Sequence, residues 1–429
     1  MAEDGRDAVT DHSPHSLYIH VPFCVSKCPY CDFNSHVGLE GLFDSYNRAL
    51  VDEIRTWGRE LRAPRLDTVF IGGGTPSRVP AAHIAAALDA VRDTFDLSPT
   101  AEVTLEANPQ SADAEKMDAW LAAGVNRLSL GFQSLDAASL AFLERAHDAA
   151  EAVNVFRRAR SAGFSNISCD LIFAIPGLTT PRWGEVLAEV VALGPEHLSA
   201  YELTPEIGTR LGADVAAGVT AMPDEDVKLE QYEVASELLA EAGLARYEVS
   251  NWARPGRECR HNIAYWSGVP YAAAGAGAHA FVFAVAAPSW LGATRPAGSI
   301  TARQWNLANP AAYIQAVRAR GHADAGHEWL DLATTVSDLM MMGLRMPAGV
   351  DLDAASVRLD SDLIGMVAPV VEPMVRQGLL LRDRGRLIAT DRGLQVLNGV
   401  AAEFIGIAPA SPASAMANLA QTAAPATLV

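Results

Sequence analysis

Three cysteines, Cys24, Cys28 and Cys31, follow the apolar run 17–21 in the pattern C-x3-C-x2-C. Thiolates on so short a loop can hold three irons of a 4Fe–4S cluster and leave the fourth iron with an open position. The amino and carboxylate groups of S-adenosylmethionine can chelate that iron. An electron from the cluster then cleaves a sulfur–carbon bond and releases a deoxyadenosyl radical. The competing chemistry is zinc, with His20 or His36 completing a Cys3His site. Structural zinc usually draws on two ligand clusters far apart in the chain, and no second C-x2-C exists here, so the cluster is favoured.

Further polar groups stand where a ligand would need them. Gly72, Gly73, Gly74 and Thr75 follow a strand-like run, and glycines there let the backbone approach and hydrogen-bond a ligand such as the methionine end of S-adenosylmethionine. Glu106, Gln133, Arg145 and Asp170 lie on or just after strands and helices. Arg145 suits the ligand carboxylate, and Asp170 or Gln133 its ribose hydroxyls; the plainer alternative is buried polar groups satisfied by nearby backbone. His261 opens the run His261-Asn-Ile-Ala-Tyr-Trp266, between Trp252 and a glycine-rich stretch ending at His279. Such a histidine could ligate haem iron, with Arg257 or Arg260 on the propionates. On residue chemistry alone a hydrogen-bonded core histidine is the better reading. His279 and Cys259 are competing iron ligands.

The elements that must position these groups alternate from residue 17 to about 203. Strand-like runs fall at 17–21, 68–71, 102–105, 127–130, 167–173 and 197–201, with helical patterns over 43–61, 80–94, 112–123, 135–162 and 182–193. Repeated β/α units imply a parallel sheet with helices outside, and polar residues at the strand ends suit a barrel-type site. A further helix covers 224–242. Residues 331–405 read as helices followed by a hairpin turning at Gly385, a winged-helix-like module. That module carries seven Arg against ten Asp plus Glu, too little positive surface for nucleic acid. The whole-chain charge of −18 likewise excludes a polyanion bound over a broad surface. No apolar run is long enough to span a bilayer, the first fifteen residues lack the apolar segment of a signal peptide, and five cysteines make no disulfide framework. A reducing cytoplasm is expected, with membranes approached only through partner proteins. Cys169 and Cys259 are expected to be buried as small hydrophobes.

Taken together, Y-x-H-x-P-F-C-x3-C-x-Y-C, GGGTPS, LEANP, LSLGFQS, DLIFAIPG and HLSAYELTP resemble the HemN/HemW branch of radical S-adenosylmethionine proteins, over residues 16 to 405. The resemblance implies an α/β fold: a partial six-stranded (β/α) barrel followed by a smaller C-terminal domain. The expected division is a disordered tail over 1–15, a radical core over 16–250, a connecting region over 251–330, the winged-helix-like domain over 331–405 and a disordered Ala/Pro-rich tail over 406–429. It also implies that Tyr18, Tyr30, Gly73, Gly74, Thr75, Glu106, Gln133, Arg145 and Asp170 contact S-adenosylmethionine. Within the branch, the coproporphyrinogen dehydrogenase has a fourth cysteine two residues after the third; Phe33 stands there in this chain. The chain is therefore similar to the haem-chaperone members, in which an HNxxYW run like that at His261 is associated with haem. Two function classes remain: a carrier that delivers haem to acceptors such as respiratory cytochromes, and a radical enzyme decarboxylating a porphyrin precursor. A radical methyltransferase of the same branch is a lesser third.

Overall fold

The computed structural model describes residues 12–291 and 295–407. Six strands pair in sequence order, all parallel: β1 (Ser16–Val21), β2 (Arg65–Gly73), β3 (Asp96–Ala107), β4 (Arg127–Gln133), β5 (Ile167–Phe173) and β6 (His197–Glu202). They are joined by α1 (Phe43–Glu60), α2 (Ala81–Thr94), α3 (Ala114–Ala122), the pair α4 (Ala137–Phe142) and α5 (Ala149–Ala162), and α6 (Thr180–Val191). Strands such as Ile167–Phe173 are buried almost throughout, as expected when both faces are covered. Asp113, Asp136, Asp148 and Thr179 each accept a backbone N–H at a helix start, which fixes where each crossover turns. All six carboxyl ends share one rim.

The chain after β6 extends the same sheet at both edges. Beyond α7 (Arg210–Ala216) and α8 (Glu225–Glu241), β7 (Ala245–Glu248) and β8 (Asn251–Ala253) add antiparallel beside β6. After α9 (Arg260–Trp266), β9 (Tyr271–Ala274) pairs parallel with β1 on the opposite edge. Then β10 (His279–Phe283), β11 (Thr301–Asn306) and β12 (Asp324–Leu330) continue antiparallel, with α10 (Pro310–Arg320) between the last two. The stretch 251–330 is thus part of the barrel's own twelve-stranded sheet rather than a separate connector.

A buried carboxylate ties this extension down. Glu53 of α1 accepts from Gly275 N–H (2.8 Å), Asn306 Nδ2 (2.8 Å) and Tyr313 hydroxyl (2.7 Å). Burial pushes its pKa up to about 7.

The C-terminal module has a second hydrophobic core. It comprises α11 (Leu332–Gly343), β13 (Val350–Asp351), α12 (Leu352–Leu359), α13 (Leu363–Arg376), the hairpin β14 (Leu380–Asp383) and β15 (Arg386–Ala389), and two short closing helices. Its strands order β13-β15-β14, the wing anticipated from the sequence, with Gly385 at φ +78 in the turn. Phe283 of β10 belongs to this second core, so the module packs on the sheet extension.

One helix differs from expectation. The pattern over 135–162 reads as continuous, but the chain breaks between α4 and α5, with Glu144 in the left-handed region at φ +51. The tails expected over 1–15 and 406–429 lie mostly outside the described residues. The four described residues at the start run directly into β1, the His15 carbonyl accepting from Asp67 N–H at 2.8 Å.

Candidate functional site

The strand ends and the cysteine loop enclose one cavity of about 1100 Å³. The three cysteines, the residues expected to contact S-adenosylmethionine and His261 all line it: Cys24, Cys28, Cys31, Tyr18, Tyr30, Gly73, Gly74, Thr75, Glu106, Gln133, Arg145, Asp170 and His261.

The loop is seated by short-range bonds. Cys24 N–H donates to His36 carbonyl, and His36 N–H to Pro22 carbonyl. Asn34 Nδ2 donates to the carbonyls of Ala276 (2.8 Å) and Ala308 (3.0 Å). Gly277 sits at φ +73 directly against that amide, where a Cβ would approach Asn34 Nδ2 to 2.5 Å. The glycine-rich stretch after α9 therefore serves close packing of the cysteine loop.

The three sulfurs have separate neighbours. Cys24 Sγ lies 3.4 Å from Thr75 Oγ1, and Arg145 Nη1 reaches Cys28 Sγ at 3.5 Å. Among the described residues, no three Cys, His or carboxylate side chains converge as around a single ion. The histidines that would complete a zinc site are engaged elsewhere. His20 bonds Tyr18 hydroxyl (2.9 Å) and Asn34 carbonyl (2.8 Å), and His36 Nε2 lies 3.1 Å from Asn34 Oδ1. Burial lowers His20 to about 4.

Next to the loop, Gly73 N–H donates to Glu106 Oε2 at 3.1 Å. Gly73 is at φ +115, and a Cβ there would lie 2.5 Å from the His20 ring. Burial, with Asp170 nearby, pushes Glu106 up to about 8. A carboxylate so placed favours a cation beside it. Arg145, delivered by the α4–α5 break, donates to Asn108 Oδ1 (2.8 Å) and Gly131 carbonyl (3.3 Å), while its Nε is buried without a partner. Asp170 accepts from Ser129 (2.7 Å), Ser168 (2.9 Å) and Ser199 (2.8 Å). Three hydroxyls leave about one of the roughly four acceptor positions of a carboxylate open. Ser129 and Ser199 come from strands on either side of Asp170, and single-sequence reasoning missed both. Asn108, inside LEANP, is the polar neighbour whose motif position could have flagged it.

These groups can hold S-adenosylmethionine. Glu106 is placed for an amino N–H, Arg145 for a carboxylate, Asp170 for a ribose hydroxyl, and the three thiols for irons.

The histidine at the head of α9 is placed differently. His261 is 1% exposed. Its Nδ1 lies 2.7 Å from Thr68 Oγ1 and its Nε2 2.9 Å from Tyr265 hydroxyl. The ring stacks on Phe70 at 5.2 Å, and Glu102 caps the helix start by accepting from Arg260 and His261 N–H. Burial and Arg127 lower its pKa to about 3. With both nitrogens bonded internally, His261 has the arrangement of the hydrogen-bonded core histidine that residue chemistry alone favoured. Cys259 is buried, as expected of a small hydrophobe: its thiol donates to Glu102, and burial pushes it up to about 12. Arg257 and Arg260 are exposed and outside the cavity lining; Arg260 donates to Thr100 carbonyl. His279 is exposed at the cavity wall.

A parallel β/α core with a three-cysteine loop at its rim defines the class. Residues 18–190 match the model of the radical SAM superfamily, and residues 330–396 that of the HemN C-terminal domain. Such a core implies a 4Fe–4S cluster and S-adenosylmethionine. The chain is 36% identical over 396 residues to the heme chaperone HemW of Mycobacterium tuberculosis, covering 92% of this chain and 95% of the relative. It is 31% identical to the heme chaperone HemW of Bacillus subtilis, covering 91% and 99%. The solved structure of coproporphyrinogen III oxidase (HemN) from Escherichia coli superposes with a TM-score of 0.76 over 92% of this chain and 91% of that one, at 22% identity, a likeness of fold. The chain belongs to the HemW family.

Proposed function

We propose that this protein binds haem and passes it to acceptor haemoproteins such as respiratory cytochromes. In this reading a 4Fe–4S cluster rests on Cys24, Cys28 and Cys31, and S-adenosylmethionine lies against Tyr18, Tyr30, Gly73, Gly74, Thr75, Glu106, Gln133, Arg145 and Asp170. The domain division follows the same reading, with the sheet extension serving the core rather than standing apart from it.

The observation that carries the reading is Phe33. It occupies the position where the dehydrogenase branch has its fourth cysteine, and it is 60% exposed at the cavity mouth. The near full-length likeness to proteins named heme chaperones supports it.

The residues divide the work. Burial keeps the Tyr18 phenol protonated, so its O–H remains available as a donor. Glu106 accepts from the N–H of the ligand's amino group, and the Arg145 fork orients a carboxylate against the cluster side. When bound, the cluster and S-adenosylmethionine supply one-electron chemistry. A cytoplasmic location is proposed; among the described residues no helix is long and apolar enough to cross a membrane.

The test is an anaerobic haem titration of reconstituted protein beside a coproporphyrinogen turnover assay. A stoichiometric Soret band without protoporphyrinogen supports the carrier. Catalytic decarboxylation would establish the enzyme reading instead.

A further inference from the structure

We propose that haem sits on the open face of β9–β11, with its iron on His279 and its propionate edge toward Arg358. This rests on the haem-carrier reading above and assigns that reading a seat.

The face follows from strand register. Tyr271 lies opposite Phe281, His279 opposite Trp305, and Phe281 opposite Arg303. Directly opposed residues of antiparallel strands project to one side, as do residues two apart along a strand. One side of the sheet extension therefore carries a histidine, three aromatic rings and a guanidinium. His279 is exposed, and its ring stacks on Trp305 at 6.2 Å. Neither ring nitrogen makes a hydrogen bond to any described residue, so a lone pair is open, as ligation requires. Tyr271 and Phe281, with ring centroids 6.4 Å apart, provide the flat apolar surface that a macrocycle needs.

The same face runs on into a second cavity of about 210 Å³, between the sheet extension and α11 and α12. The two cavities adjoin at Tyr265 and Tyr271, which line both. From His279 to Phe283 is four residues of strand, about 13 Å at ~3.3 Å per residue. Phe283 lines that second cavity, so the strand itself leads from His279 toward it.

The second cavity ends in two cations of different kinds. Arg303 is already held by Glu328, at 2.7 Å, and by Asp338. Arg358 donates to Ser267 carbonyl at 3.0 Å, and its Nε is buried without a partner among the described residues. Among the described residues no carboxylate lies within ion-pair reach of Arg358. A partly desolvated guanidinium without a counter-ion, at the end of an apolar trench, suits a carboxylate on an apolar body. The propionate edge of haem has that chemistry. Its bonds form by coordination and by ion pairing, with no covalent step.

The experiment uses the full chain, reconstituted with its cluster so that cluster absorbance reports folding in every variant. Haem and haem dimethyl ester are titrated into wild type, His279→Ala and Arg358→Gln. His279→Ala should shift or flatten the Soret band while the cluster spectrum is kept. Arg358→Gln should weaken haem about tenfold, the size of one charge-assisted bond, and leave the dimethyl ester unchanged. An unchanged Soret band in His279→Ala overturns the seat while leaving the carrier reading standing. Equal weakening of haem and ester in Arg358→Gln removes the propionate contact. A wild-type chain that binds no haem overturns the carrier reading and the seat with it.

Discussion

Two histidine regions on the two sides of Tyr271 have opposite character. Around His261, at the head of α9, every valence is spent: Thr68 and Tyr265 take the two ring nitrogens, Phe70 covers a face, and Glu102 holds the backbone. Around His279, on β10, the ring lies open against Trp305 with neither nitrogen bonded to a described residue. The first is the arrangement of a rivet, fixing α9 to β2 and β3. The second is the arrangement of a ligand in waiting. A histidine within a conspicuous motif is thus no better an iron donor than one outside it; what counts is an unspent lone pair facing open space.

The largest effect that sharpens this contrast falls on the cluster loop. Replacing Cys24, Cys28 and Cys31 together by alanine should abolish the absorbance near ~400 nm of a thiolate-ligated cluster. Haem binding at the β9–β11 face should survive, because that face shares no sulfur with the loop. Iron and sulfide retained in the triple variant would break the assignment.

His261→Ala comes next. Losing a buried ring and stranding the Tyr265 hydroxyl, while Thr68 keeps its bond to Ser16, should cost ~3 kcal/mol in denaturant unfolding, with the Soret position of the haem complex kept. A Soret shift with little loss of stability would reverse the roles given to the two histidines.

Asp170→Ala should weaken S-adenosylmethionine by ~2–4 kcal/mol in calorimetry, since it removes an acceptor and frees three serine hydroxyls. Haem affinity should not follow. Undiminished S-adenosylmethionine binding would take Asp170 out of the site.

The smallest effect is a pH dependence. Burial and Asp170 hold Glu106 protonated up to about 8 in the free protein. A bound amino group donating its N–H there favours the carboxylate and lowers that value. Affinity for S-adenosylmethionine should therefore rise with pH between 6 and 7.5, by at most ~tenfold per pH unit for one linked proton. A flat profile, or one unchanged in Glu106→Gln, would place the amino group elsewhere.

Much of the cluster and ligand site was legible because its residues sit in short runs at strand ends, where local sequence fixes local geometry. Cys24, Gly73, Glu106 and Asp170 are of that kind. Arg145 lines the cavity, but its place in the sequence reads as a helix running unbroken from 135 to 162. The turn that points it into the cavity depends on a left-handed residue, Glu144, which no glycine announces. Ser129 and Ser199 were missed because they reach Asp170 only through the pairing of β4, β5 and β6, and register between strands is not written in any one strand. The β9–β11 face was illegible for the same reason. Its strands come from a stretch without clear period, and only their pairing gathers Tyr271, His279, Phe281 and Trp305 on one side.

The most direct measurement is haem transfer. Reconstituted protein loaded with one equivalent of haem is mixed with an apo-haemoprotein, and the Soret bands of donor and acceptor are followed. A carrier should lose its band as the acceptor gains one, with no porphyrin product formed. Haem that stays bound, or conversion of coproporphyrinogen by the same preparation, would contradict the proposed function.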